Sequence, residues 1–119
     1  MRHACLVLVG AALGACVART PPTSPAEIAT RAGVMAPADP RLADLYAHAC
    51  RACHAKPGTG APLAGDRDAW GPRVRQGLAV LTTHAATGYR GMPAGGQCFS
   101  CTVEDYQSLI RFMVDQPVS

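Results

Sequence analysis

Aromatic residues are scarce in this sequence: one tryptophan, three tyrosines and two phenylalanines make up 5% of the chain. Once a leader and a linker are set aside, only about eighty residues remain to enclose a core, and a domain of that size is marginal without help. So few rings cannot fill its centre. Charge of one sign is also missing, with 11 Lys and Arg against 8 Asp and Glu, a formal net charge of +3. That balance does not imply nucleic acid as a partner. No apolar run is long enough to span a bilayer as a helix, the longest being Ala4 to Leu13. Nor does a strand precede the first cysteine pair of the domain, because Arg41-Leu42-Ala43-Asp44-Leu45-Tyr46-Ala47-His48-Ala49 carries helical spacing.

What is present is Cys50-Arg51-Ala52-Cys53-His54. A C-x-x-C-H run attaches haem covalently: two cysteines three positions apart on a turn of helix offer both sulfurs to one edge of the macrocycle, and the next residue places an imidazole under the iron. Cys50 and Cys53 are therefore expected to form thioethers and His54 to ligate the iron. A cysteine pair alone also serves thiol–disulfide exchange or zinc. The first needs a βαβ setting that the helical upstream sequence does not provide. The second would have to recruit Cys98 and Cys101, far beyond the usual separation of two zinc knuckles. A buried haem c would supply the core that the aromatic residues cannot, and the protein without it is expected to fold poorly.

The N-terminus reads as an export leader, residues 1–15. Arg2 precedes the apolar run, which ends in Leu13-Gly14-Ala15-Cys16 and resembles a lipobox. Cleavage before Cys16 and acylation of that residue would leave a membrane-anchored bacterial lipoprotein facing the periplasm. An ordinary secretory leader or an uncleaved anchor would use the same residues. Residues 16–38, with Thr20-Pro21-Pro22-Thr23-Ser24-Pro25 and Pro37, read as the lipidated terminus and an extended tether. Ala26 to Ala32 can form a short helix there, and Met35 is a linker residue. The folded domain, 39–119, begins at Asp39-Pro40, an N-cap followed by proline at the first helical position.

Helical spacing then predicts an all-α domain of four or so helices. The first carries Leu42, Leu45, Tyr46 and Ala49 into the motif, leaving His48 off the stripe. After the Gly- and Pro-rich loop Ala55 to Gly65, in which a backbone carbonyl can orient His54, a second helix starts near Asp66 or Asp68 with Trp70, Val74 and Leu78 inward and Pro72 near its first turn. A third runs from Leu78 to Ala86. The last opens with a capping box at Thr102 and turns Val103, Tyr106, Leu109, Ile110 and Met113 inward. Between the third and last lies Tyr89-Arg90-Gly91-Met92-Pro93-Ala94-Gly95-Gly96. A thioether is a known sixth ligand of haem iron, and Met92 is the well-placed one, Met35 lying in the tether and Met113 in the core. His84 is its rival. In an oxidising compartment Cys98 and Cys101 most simply form a disulfide.

Cys50-x-x-Cys53-His54, Gly60-Ala61-Pro62, Gly65-Asp66, Trp70, Arg73, Gly77, Gly91-Met92-Pro93, Gly95-Gly96 and the Cys98/Cys101 pair together resemble the cytochrome c5 family of class I cytochromes c, over about Asp39 to Val114. The resemblance implies a small class I fold around one covalent haem, with His54 and Met92 as axial ligands and a Cys98–Cys101 disulfide. It further implies that Pro62 supplies the carbonyl to His54 and that Trp70 and Arg73 lie near the haem propionates.

Six-coordinate iron leaves no place for substrate, so the expected role is a one-electron carrier rather than an enzyme. The alternatives are a haem subunit of a larger oxidoreductase or terminal reductase complex, and a haem-based sensor or peroxidase, against which the Gly-Met-Pro loop argues. Redox proteins are the expected partners. Arg51, Lys56, Arg67, Arg73, Arg75 and Arg90 cluster in sequence near the motifs, either as a cationic rim steering an acidic partner or as an ordinary solvated face. Covalent attachment is checked on a denaturing gel stained for haem peroxidase activity: the stain is expected to survive acid–acetone extraction, and replacing both Cys50 and Cys53 by alanine is expected to abolish it.

Overall fold

The computed structural model describes residues 23–119; the leader and Cys16 lie outside them. Among the described residues the architecture is helical, with no strand and one isolated bridge between Tyr89 and Met92. No helix there is long and apolar enough to cross a membrane.

The first helix, α1 (Pro25–Val34), contains the short helix expected at Ala26 to Ala32 and is longer than it, so residues 25–34 are not extended tether. Ser24 and Glu27 form a reciprocal capping box, with the Ser24 hydroxyl accepting from Glu27 N–H at 3.2 Å and the Glu27 carboxylate accepting from Ser24 N–H at 2.7 Å. Pro25 at the first helical position adds the preset φ that starts a helix well. The helix is docked as well as formed: Ala32 is fully buried in the core, and Met35 packs against the same core instead of serving as a linker. The folded body therefore begins well before Asp39.

Asp39 caps α2 (Pro40–Leu45) as expected, accepting from Leu42 N–H at 2.8 Å. The helix does not run straight into the motif. Tyr46–Cys50 forms a wider π-helical turn, in which the Arg51 amide reaches back to Tyr46 O, before α-geometry resumes in α3 (Arg51–His54). Such turns recur at functional sites, and this one ends at the first motif cysteine. His48 is exposed, its Nδ1 within 2.8 Å of Asp44 O, as its place off the apolar stripe foretold.

Asp66 caps α4 (Arg67–Val74), accepting from Ala69 N–H at 3.0 Å. Pro72 lies deeper inside this helix than its first turn, where it removes one helical hydrogen bond, and α4 is correspondingly short. Glycines at both ends delimit α5 (Leu78–Thr87), which buries Leu78, Leu81, Thr82 and Ala85. After a 3-10 turn at Ala94–Gln97, α6 (Val103–Val114) opens with the capping box at Thr102 and Asp105 and buries Leu109, Ile110, Met113 and Val114. Val103, expected inward, is 55% exposed because it is the first residue after the cap.

The two ends of the domain are locked where α2 and its π turn meet α6. Tyr46 packs edge-on against Phe112, ring centroids 5.0 Å apart. Among the described residues Tyr46, Leu109 and Val114 are the largest fully buried side chains; burial of Leu109 and Val114 is worth roughly 1.5–3 kcal/mol each. Arg41 grips Asp105 with both terminal nitrogens, at 2.5 and 2.8 Å. The Arg41 guanidinium first, and the Thr102 backbone N–H second, hold the Asp105 carboxyl well below the usual carboxylate range. A depressed folded-state pKa stabilises above the unfolded value and is lost as pH falls through the folded one. Asp105→Asn is therefore expected to lower the midpoint of thermal unfolding at pH 7 by roughly 5 °C, the scale of a lost helix cap. The gap between variant and wild type should begin to narrow below about pH 3.8, the unperturbed value, as thermal melts followed by circular dichroism across pH would report.

Candidate haem site

The π turn and α3 present Cys50 and Cys53 on consecutive turns, both as free thiols, with Cys50 partly buried and Cys53 exposed. Burial pushes the Cys50 thiol up to about 11. An exchange-active cysteine needs the opposite, a depressed pKa and a ready thiolate, so the environment disfavours a redox dithiol. A zinc site fares no better. Cys98 and Cys101 are joined to each other in a disulfide, and among the described residues no three His, Cys, Asp or Glu side chains gather as a metal cluster.

His54 closes α3 and is 6% exposed. Its Nδ1 lies 2.8 Å from the carbonyl oxygen of Pro62. A carbonyl can only accept, so Nδ1 carries the hydrogen and the lone pair sits on Nε2. Burial lowers the proton affinity of the ring, the Pro62 hydrogen bond opposes this, and the Arg73 guanidinium lowers it further. The result is a neutral imidazole with one free nitrogen donor, the form that binds iron.

The loop from Pro62 to Gly65 is anchored on several sides. Ala64 N–H donates to His54 O at 2.8 Å, and Gly65 N–H donates to Met113 O at 2.8 Å. Trp70, buried on α4, donates its indole N–H to Leu63 O at 2.9 Å and lies nearly parallel to the His54 ring, centroids 5.7 Å apart. Trp70 and Arg73, which the resemblance puts near the haem propionates, each spend a donor inside the protein. The indole N–H is engaged with Leu63, and one Arg73 terminal nitrogen donates to Ala69 O at 2.6 Å. What the structure places beside His54 is the flat face of Trp70 and the positive charge of Arg73.

Met92 is partly buried against the core, on the loop between α5 and α6. Tyr89 and Met92 exchange two backbone hydrogen bonds of 3.0 and 2.9 Å, closing a tight turn through Arg90, whose φ is 53°. Gly88 enters this turn so closely that a Cβ there would meet Ala94 N at 3.0 Å, and a Cβ on Gly96 would meet Met92 Cε at 3.0 Å. Glycine is needed at both places for space and for positive φ. The far end of the loop is held by the Cys98–Cys101 disulfide and by Tyr106 of α6, whose hydroxyl lies 3.0 Å from both Gly95 O and Cys98 O. His84, the rival ligand, stacks on Tyr89 with centroids 3.9 Å apart. The sequence pattern did not single out Tyr106 as a clamp, Arg73 as a charge beside the histidine, or α1 as a neighbour of the Pro62–Gly65 loop.

Two neighbouring thiols, an imidazole with its lone pair free and flat aromatic cover fit a covalently held haem. Cys50, Cys53 and His54 would hold it. Comparison with known proteins gives the same answer. The family model described as cytochrome C oxidase, cbb3-type, subunit III matches residues 37–113. The chain is similar to cytochrome c-555 of Chlorobaculum tepidum, 36% identical over 75 residues that cover 60% of this chain and 69% of that protein. It is similar also to cytochrome c-555 of Chlorobaculum thiosulfatiphilum, 33% identical over 60% of this chain and 87% of that protein. With cytochrome c-555 of Prosthecochloris aestuarii it shares 31% identity over 60% of this chain and 81% of that protein. The chain belongs to this family of class I c-type cytochromes, as a monohaem electron-transfer protein whose cofactor is a covalently bound haem c.

Proposed function

We propose that this protein is a one-electron carrier with His54 and Met92 as axial ligands, tethered to a membrane through a lipidated Cys16 and facing the periplasm. What supports the ligation is that each proposed ligand is held by bonds of its own. His54 is held by Pro62 O with its Nε2 lone pair free, and Met92 is held on a turn closed by its own backbone bonds to Tyr89. The bound haem supplies the one-electron couple. The chain's own residues fix the imidazole, present the thioether and exclude water from the ring behind Trp70. With both axial positions filled by protein, no coordination site is left for substrate, which favours a carrier over a peroxidase or a ligand sensor. Within the family, the Gly91-Met92-Pro93 loop and the Cys98–Cys101 disulfide favour the cytochrome c5 group.

A second reading is a haem subunit of a larger oxidoreductase, favoured by the description of the matching family as an oxidase subunit. Co-purification separates the two, since a carrier leaves mild detergent extracts alone and a subunit brings its complex.

Thioether ligation favours ferrous iron. Met92→Leu is expected to abolish the weak red charge-transfer band of the ferric protein and to lower the reduction potential by a sizeable part of the roughly 0.8 V over which axial ligands tune haem. If that variant keeps band and potential while His84→Ala alters them, the ligand is His84. Cys16→Ser is expected to move the haem protein from the membrane to the soluble fraction after detergent-free washing. A variant that stays bound points to an uncleaved anchor.

A further inference from the structure

Helix α1 precedes the stretch that the family model covers, residues 37–113, yet it touches the site on two sides. Arg31 donates through Nη2 to the carbonyl of Gly65. Met35, just beyond the helix, sits over the same residue: a Cβ on Gly65 would come within 2.9 Å of Met35 Sδ and 3.1 Å of Arg31 Nε. From the opposite direction Arg51, inside the attachment motif, donates through Nη2 to Gly33 O of α1 at 2.7 Å. Ala32, between these ties, is fully buried.

Gly65 ends the short loop that orients His54. Its amide is taken by Met113 O, and its carbonyl also accepts from Arg67 N–H at 3.1 Å, within its own turn. Arg31 is the tie that comes from α1. Two residues separate Gly65 from Pro62, whose carbonyl accepts the His54 Nδ1 proton, and both, Leu63 and Ala64, are bound to Trp70 and His54. A segment this short, tied at each residue, transmits a displacement of one end to the other.

We propose that Arg31 is a positioning residue for His54: by holding Gly65 it keeps the Pro62 carbonyl aimed at Nδ1 and thereby sets the basicity of the histidine. The proposal rests on the reading of His54 as an iron ligand. A firm N–H···O=C bond raises the basicity of a ligating imidazole and so favours ferric iron, whereas the positive charge of Arg31 favours ferrous iron. Removing the residue disturbs both, with opposite signs. Arg31→Lys separates them, because lysine keeps the charge and loses the planar fork.

The test uses the full-length holo-protein with 15N-labelled histidine, followed by NMR in the reduced, diamagnetic state together with redox titration. In Arg31→Lys and Arg31→Ala the His54 Nδ1 proton is expected to exchange with water roughly tenfold faster than in wild type, the scale of one weakened hydrogen bond. The potential of Arg31→Lys is expected to rise. Asp105→Asn, which loosens α2 from α6 away from the loop, is expected to leave Nδ1 exchange within twofold of wild type. If Asp105→Asn accelerates exchange as much as the Arg31 variants, α1 adds only general stability and the proposal is overturned. Unchanged exchange and potential in both Arg31 variants overturn it as well. Absence of the large ring-current shift of an iron-bound imidazole from the wild-type His54 signals overturns the ligand reading itself, and this proposal with it.

Discussion

The hydrogen bond from His54 Nδ1 to the Pro62 carbonyl is the contact on which the rest of the site turns. A buried imidazole must place its N–H somewhere, and an unmet donor in that position would destabilise the fold by about 1–3 kcal/mol. Proline suits the acceptor side because its φ is fixed and it brings no competing N–H. The tie runs both ways, since Ala64 N–H returns to the His54 carbonyl. Helix end and loop thus determine each other. Because the acceptor engages one ring nitrogen, it also decides which nitrogen is free. Burial completes the selection by disfavouring the protonated ring.

The methionine loop solves a different problem by different means. A thioether is a weak donor that adds no hydrogen bond of its own to steer it, so in the proposed ligation its direction has to come from the backbone. Helix ends surround His54 and hold its loop through main-chain bonds from α3 and α6 and through the indole of α4. Around Met92 there is a 3-10 turn with two positive-φ glycines, a disulfide and a tyrosine hydroxyl reaching across from α6. Tyr106 and Asp105 are neighbours on α6, so one stretch of helix serves both the closure of the domain through Arg41 and the clamp on this loop.

Much of this was legible in the sequence. The Cys50-to-His54 motif, the capped helices and the cysteine pair at 98 and 101 are local signals, each read from residues within a turn of one another, and the structure has them where they were expected. What escaped notice was of two kinds. Some signals were local and only half used: a short helix was expected at Ala26 to Ala32, but the full capping box of Ser24-Pro25-Ala26-Glu27 went unread, because the surrounding prolines and alanines suggested a tether. Others have no local signature. Arg31 with Gly65, Arg51 with Gly33 and Arg41 with Asp105 are separated by 34, 18 and 64 residues, and nothing in a side chain's neighbours announces such a partner. The π turn at Tyr46–Cys50 belongs with these, since no proline or glycine marks it.

The docking of α1 changes the geometry of search in the proposed lipid-anchored state. A chain leaving Cys16 and first gripped near Asp39 would have a contour of about 80 Å at full stretch, enough to let the haem domain roam far above a membrane. Gripped instead at Ser24, it reaches at most about 28 Å, which is comparable to the domain's own diameter. The domain would then stay close to the surface and meet partners largely in two dimensions. Short leashes raise the local concentration of partners held in the same membrane and sharply lower access to those that diffuse beyond it. In that proposed state the extra helix would act as a ruler on the encounters the cytochrome can have.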